Sequence, residues 1–118
     1  MVLAMKLTLD KTKRITKRRT FLHIQRYGKR AFGKHLVLVS KGLRAEKNGQ
    51  FGITVSKNVG KAHERNKIKR QFRHIIRLNQ HIFNNKLLVI MARPSANACP
   101  FDELSQDLLL AYKRLNKG

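Results

Sequence analysis

The sequence predicts a single α+β domain, an α/β sandwich in the order helix–strand–strand–helix–strand–helix. Three observations carry this expectation. The chain has 118 residues, the length of one domain. Short apolar runs rich in β-branched residues, "HLVLVSKGL", "FGITVSK" and "NNKLLVIMAR", read as strands. Between and after them, "ERNKIKRQFRHIIR" and "FDELSQDLLLAYKRL" place apolar residues at helical spacing.

Residues 1–15 are basic with little apolar periodicity and are expected to form a mobile arm. Thr16 can cap a first helix running to about Tyr27, with Phe21 and Ile24 on one face, Gln25 beside them, and Gly28 stopping it in the left-handed conformation open to glycine. Strands follow over His35–Leu43 and Phe51–Lys57, and the Asn48-Gly49 pair between them signals a hairpin. A second helix is expected from about Lys61 to Asn79, a third strand over Lys86–Ala92, and a loop at "PSANACP". The final helix has Asp102 and Glu103 in its first turn and Lys113 and Arg114 in its last, as the helix dipole favours.

Charge narrows the function. There are 27 Lys and Arg against 6 Asp and Glu, a formal net charge of +21. A compact domain so charged repels itself, and a polyanion relieves the repulsion. Nucleic acid is the first candidate and an anionic membrane surface the second. No apolar run approaches the roughly 18 residues of a membrane span. The opening "MVLAMKLTLDKTKR" is too short in its apolar part, with its charges on the wrong side, for a secretory signal. A single cysteine, Cys99, cannot form an internal disulfide, and a cytoplasmic location is expected.

The second helix separates these partners. With Ile68 set at zero on a wheel of about 100° per residue, Phe72, Ile75, Ile76 and Phe83 fall within about 80° of it. Lys67, Lys69, Arg70, Arg73, His74 and Arg77 fill the remaining arc, with Arg65 near the border. A solvated helix would alternate its signs, yet Glu64 is the one acid between Lys61 and Arg77. A localisation signal needs no apolar stripe. A membrane-surface helix needs an exposed one, and this stripe is required for the fold. The outer face therefore reads as a phosphate-binding surface, on which lysines act as point charges and arginines fork or stack. Its geometry serves RNA and DNA alike.

Signs of catalysis are sparse. Asp102, Glu103 and Asp107 cluster, but stabilisation of the helix start accounts for the first two, and six acids are few for a two-metal nuclease. His23, His35, His63, His74 and His81 show no zinc-like spacing to cysteine or carboxylate, and Cys99 has no neighbouring histidine. No metal site is expected in the protein, and no glycine loop for phosphates is present. The residues describe a binder of nucleic acid.

"FGITVSKNVGKAHERNKIKRQFRHIIR" closely resembles the bacterial ribonuclease P protein subunit family. That family's pattern is a strand ending in Val-Ser-Lys, here Val55, Ser56 and Lys57, then a glycine-containing link and a helix with Arg-Asn-Arg-x-Lys-Arg. The helix positions here are Arg65, Asn66, Lys67, Ile68, Lys69 and Arg70. The resemblance extends to "RITKRRTFLHIQRYG" and "LLVIMARPSA", covering the chain from about Arg14 to the final helix. Two positions depart. Lys67 stands where arginine is usual, keeping charge but losing the forked hydrogen bonds. Gln25 stands where some members carry a second aromatic.

The resemblance implies a protein that pairs with a catalytic RNA to remove the 5′ leader of precursor tRNA, the RNA holding the Mg2+ ions and doing the hydrolysis. It further implies a left-handed crossover through the basic helix, a monomeric protein in a 1:1 complex with the RNA, no membrane, and no activity of the protein alone. Arg65, Asn66, Lys67, Lys69, Arg70 and Arg73 would meet the catalytic RNA. Phe21, Gln25 and the exposed side of the sheet, with Val39 and Val55 as candidates, would form the leader-binding cleft, and Lys57 could reach either RNA. For Val39 and Val55 plain core packing is the competing expectation. The alternative functions are a structural, ribosomal-type RNA-binding protein and a protein nuclease built on Asp102, Glu103 and Asp107.

Overall fold

A computed structural model describes residues 18–42, 50–79 and 86–117. Along the chain run α1 (Arg18–Tyr27), β1 (Lys29–Phe32), β2 (Leu36–Gly42), β3 (Gln50–Thr54), α2 (Ala62–Leu78), β4 (Lys86–Ala92) and α3 (Phe101–Lys117). Short 3-10 turns at Lys57–Val59 and Pro94–Ala98 lead into the second and third helices. The expected mobile arm, the Thr16 cap, the Asn48-Gly49 turn and Phe83 lie outside the described residues.

The four strands form one sheet in the order β1-β2-β4-β3. β1 with β2 and β2 with β4 are antiparallel, whereas β3 and β4 are parallel. Alternate strand residues point to opposite faces, and both faces are covered. On one, Leu36, Leu38, Phe51, Leu88 and Ile90 join Ile68, Phe72, Ile75 and Ile76 of α2 and Leu104, Leu108, Ala111 and Leu115 of α3 in the main core. On the other, Val39 and Val89 pack with Ile24 of α1, and Phe21, Val37, Leu87 and Met91 are half-buried around them.

Three expectations are corrected. β2 and β3 do not form a hairpin, because β4 lies between them. Leu88, Val89 and Ile90 are buried in succession, so β4 is apolar on both faces and takes a central place, a burial that outweighs the local turn signal. β1 is an additional strand. Only Ala31 of Lys-Arg-Ala-Phe is buried, the signature of an edge strand that apolar alternation does not reveal. Gly28 ends α1 for reasons of space. Its N–H bonds to the Ile24 carbonyl at 2.7 Å, and a Cβ there would meet that oxygen at 2.7 Å and Val39 Cγ1 at 2.8 Å.

Both ends of α2 are secured. Lys61 N–H donates to Glu64 Oε1 at 2.8 Å, one half of a capping box. Beyond Leu78, the Asn79 side chain donates to the Ile75 carbonyl at 2.7 Å. At α3, the Asp107 carboxylate accepts the N–H groups of Lys34 at 2.9 Å and His35 at 2.8 Å, pinning the β1–β2 turn to the helix.

Phe72 is fully buried between the sheet and the helices. Phe72→Ala is expected to cost about 3–5 kcal/mol of folding stability, measured by urea denaturation; a loss below about 1 kcal/mol would place the ring outside a packed core.

Candidate nucleic-acid interface

The stripe of Ile68, Phe72, Ile75 and Ile76 fixes how α2 lies on the sheet and therefore which way its cations face. Asn66, Lys67 and Arg70 are exposed, while Arg65, Lys69 and Arg73 are half-buried along the flanks. The Arg65 Nε is buried and has no hydrogen-bond partner among the described residues. A donor in that state calls for an acceptor from outside. Lys67 and Arg70 also line, with Gln71, His74 and Phe101, an open groove of about 300 Å³ between α2 and the start of α3. His74 and Phe101 lie with their rings 5.3 Å apart there, and Arg77 Nη2 donates to His74 Nδ1 at 2.9 Å.

Glu64, the one acid on this helix, is withdrawn from the cationic face. Its carboxyl is held below the usual carboxylate range, first by the Lys61 N–H and then by the Asn97 side chain. Asn97 Nδ2 donates to Glu64 Oε2 at 3.2 Å and to the Val59 carbonyl at 3.1 Å. Asn97 thus ties the 3-10 turn after β4 to the first turn of the basic helix. The sequence does not single it out, since 33 residues separate it from Glu64.

The second surface lies on the opposite side of the sheet. Phe21 of α1 is half-buried with its ring edge over Gly52 of β3, so close that a Cβ on Gly52 would stand 2.3 Å from Phe21 Cζ. The absence of a side chain at Gly52 is what admits the ring. Gln25 is half-buried one turn on, and its carbonyl accepts from Arg30 at 2.7 Å. Val39 and Val55 are not on an exposed side of the sheet. Val39 is fully covered by α1, and Val55 is buried in the main core on the other face. The half-buried apolar residues on the α1 side are Val37, Leu87 and Met91. Lys57 is exposed where the chain leaves edge strand β3 for α2. Two exposed aromatics were not anticipated: Tyr27, with Arg26 at 5.6 Å from its ring centre, and Phe32, with Arg93 likewise at 5.6 Å.

The three acids considered for catalysis are divided. Asp102 is exposed, Asp107 is occupied by backbone amides, and Glu103 meets one partner from a distant segment, His35, and one four residues before it, Cys99. Glu103 Oε2 lies 2.9 Å from His35 Nε2 and accepts from Cys99 Sγ at 3.0 Å. By sequence spacing Cys99 has no neighbouring histidine; the fold brings His35 to the Cys99–Glu103 pair. Burial foremost, with Glu103 adding to it, pushes the Cys99 thiol up to about 12. The Glu103 carboxyl is lowered, chiefly by the Cys99 hydrogen bond and also by His35.

Comparison with known proteins agrees with this architecture. The family model for ribonuclease P matches residues 9–116. The chain belongs to the ribonuclease P protein family. It is 38% identical over 107 residues to the ribonuclease P protein component of Syntrophus aciditrophicus, covering 87% of each chain. The ribonuclease P protein of Staphylococcus aureus superposes with a TM-score of 0.78 at 28% identity, covering 87% of this chain and 94% of that one. That of Thermotoga maritima gives 0.76 at 29%, covering 86% and 96%. The chain is thus an RNA-binding subunit of the tRNA-processing endoribonuclease, with ribonuclease P RNA and a tRNA substrate as its partners. No helix among the described residues is long and apolar enough to cross a membrane.

The Asn97 tether generates a test. The stabilisation Glu64 contributes is fully present above the ordinary carboxylate pKa and is lost as pH falls through its lowered folded value. Asn97→Ala should move the Glu64 midpoint upward, followed by NMR titration of the carboxyl carbon, and should shrink the acid-side fall in urea-measured stability. An unmoved midpoint would mean that Asn97 does not hold the carboxylate.

Proposed function

We propose that the subunit divides its two RNA contacts between the two faces of its sheet. The outer face of α2 grips the catalytic RNA through Arg65, Asn66, Lys67, Lys69, Arg70 and Arg73, and the α1 side receives the 5′ leader of precursor tRNA near Phe21, Gln25 and Lys57. The observation that carries this reading is the placement of α1 and α2 on opposite faces of one sheet. A continuous cationic helix face suits affinity for a phosphate backbone with little sequence preference. Phe21, seated over Gly52 and half-exposed, suits stacking on bases of any identity.

In this reading the RNA carries out the hydrolysis and binds most of the Mg2+. Magnesium takes oxygen ligands in near-octahedral geometry, whereas the cluster His35, Cys99 and Glu103 offers nitrogen, sulfur and a carboxylate, and both Asp107 oxygens are occupied. That donor set does not fit magnesium. The protein acts as a monomer in a 1:1 complex with the RNA, in the cytoplasm, and is inactive alone. Its acids support this: Glu103 and Asp107 are engaged in holding α3 to the rest of the fold.

Reconstitution of the purified chain with bacterial ribonuclease P RNA should raise precursor-tRNA affinity and cleavage at low magnesium; no increase, or robust cleavage without RNA, sinks the proposal. Arg65→Ala and Arg70→Ala should each weaken assembly with that RNA and reduce the slope of log affinity against log salt by about one. An unchanged slope rules out a phosphate contact at that position. Phe21→Ala should weaken substrate binding by about 1–3 kcal/mol while leaving RNA assembly intact; a thermal-melt comparison separates this from a loss confined to folding.

A further inference from the structure

We infer that His35, Cys99 and Glu103 form a binding site for a zinc-class divalent cation, joining the start of β2, the turn after β4 and the first turns of α3. His35 Nε2, Cys99 Sγ and a Glu103 carboxylate oxygen all lie within 4.8 Å of one another. His35 is 5% exposed and Cys99 7%, so two of the donors are held inside the protein, while the Glu103 side chain is half-exposed and can adjust. Zinc takes such ligands at about 2.0–2.3 Å, which for tetrahedral angles sets them about 3.4–3.6 Å apart. The shared Glu103 oxygen stands at 2.9 Å and 3.0 Å from its partners. The widest pair, His35 and Cys99, spans up to 4.8 Å, so seating the ion takes withdrawal of the exposed carboxylate together with an approach of about 1 Å between the imidazole and the thiol, with water in the fourth position.

The surroundings suit the ion. His35 Nδ1 is paired with Ser95 Oγ at 2.8 Å, and Ser95 Oγ reaches the Lys34 carbonyl at 3.2 Å. Such a bond on the far nitrogen orients a ligating imidazole and leaves Nε2 for the metal. Thiolate and imidazole favour zinc over magnesium or calcium. Thiolate plus carboxylate also neutralise the charge of the ion, which matters in a chain of net charge +21. Binding releases the thiol proton and any proton on Nε2 to solvent, and nothing is oxidised or reduced. The same turn carries Asn97, so an ion here would stiffen the mount of α2. The inference stands on these residues alone and does not depend on the assignment of RNA contacts.

Cobalt(II) provides the probe. The full chain, freed of metal by chelator dialysis, is titrated with Co2+ and then with Zn2+. Because Cys99 is the single cysteine, a thiolate-to-cobalt charge-transfer band reports this site. The expected result is a 1:1 endpoint with that band and intense visible bands of a four-coordinate ion, bleached by one equivalent of Zn2+. Zn2+ should also raise the melting temperature of the wild-type chain and leave Cys99→Ser unmoved. A spectrum showing only the hydrated ion overturns the inference even if no variant folds, and so does a cobalt spectrum that Cys99→Ser leaves intact.

Discussion

Everything in this molecule depends on β4 being buried on both faces. Leu88 and Ile90 point into the main core, and Val89 points into the smaller cluster beneath α1. A strand with no polar face must have a neighbour on each edge and a cover on each side. β2 and β3 supply the edges; α2 with α3, and α1, supply the covers. The two proposed RNA surfaces are therefore the outsides of two covers, separated by the thickness of the sheet. The crossover from β3 through α2 to β4 is the means by which a basic helix is attached to that frame.

The frame also makes the charge tolerable. Seven Lys and Arg over residues 61–77 would disfavour an isolated helix. Burial of Ile68, Phe72, Ile75 and Ile76 holds it, and contacts at its ends reinforce it. The acid is drawn aside by Lys61 and Asn97, leaving a face of one sign. The fold thus withstands an electrostatic repulsion along this face that a polyanion would relieve.

Much of the candidate site on α2 was legible from spacing, because helical periodicity relates residues three and four apart. The apolar stripe and cationic arc emerged where the wheel placed them, with Arg65 on the flank. The α1 side was only partly legible. Phe21 and Ile24 fall on one face by spacing, but the seat for Phe21 is the space left by the missing side chain of Gly52 on β3, which two strands separate from α1 along the chain. Val39 and Val55 have the same residue type and similar local context, yet one lies under α1 and the other in the main core. Nothing local distinguishes them: the face of Val39 follows from the register of the sheet, whereas Val55 lies just past the end of β3 and is placed by the packing of the turn that leads into α2.

By itself the sequence determined the types of the three helices and of β2, β3 and β4, the cationic face of α2 and the family, because periodicity, composition and a contiguous motif are local properties of a chain. Tertiary structure alone decided the order of the strands, the edge position of β1, the Asn97 tether and the meeting of His35, Cys99 and Glu103. The Asn97 tether and the arrival of His35 at Glu103 join residues 33 and 68 positions apart, and the strand order depends on competition among strands for two-sided burial. Such contacts are selected by the packing of the whole domain, for which no stretch of sequence carries a local signal.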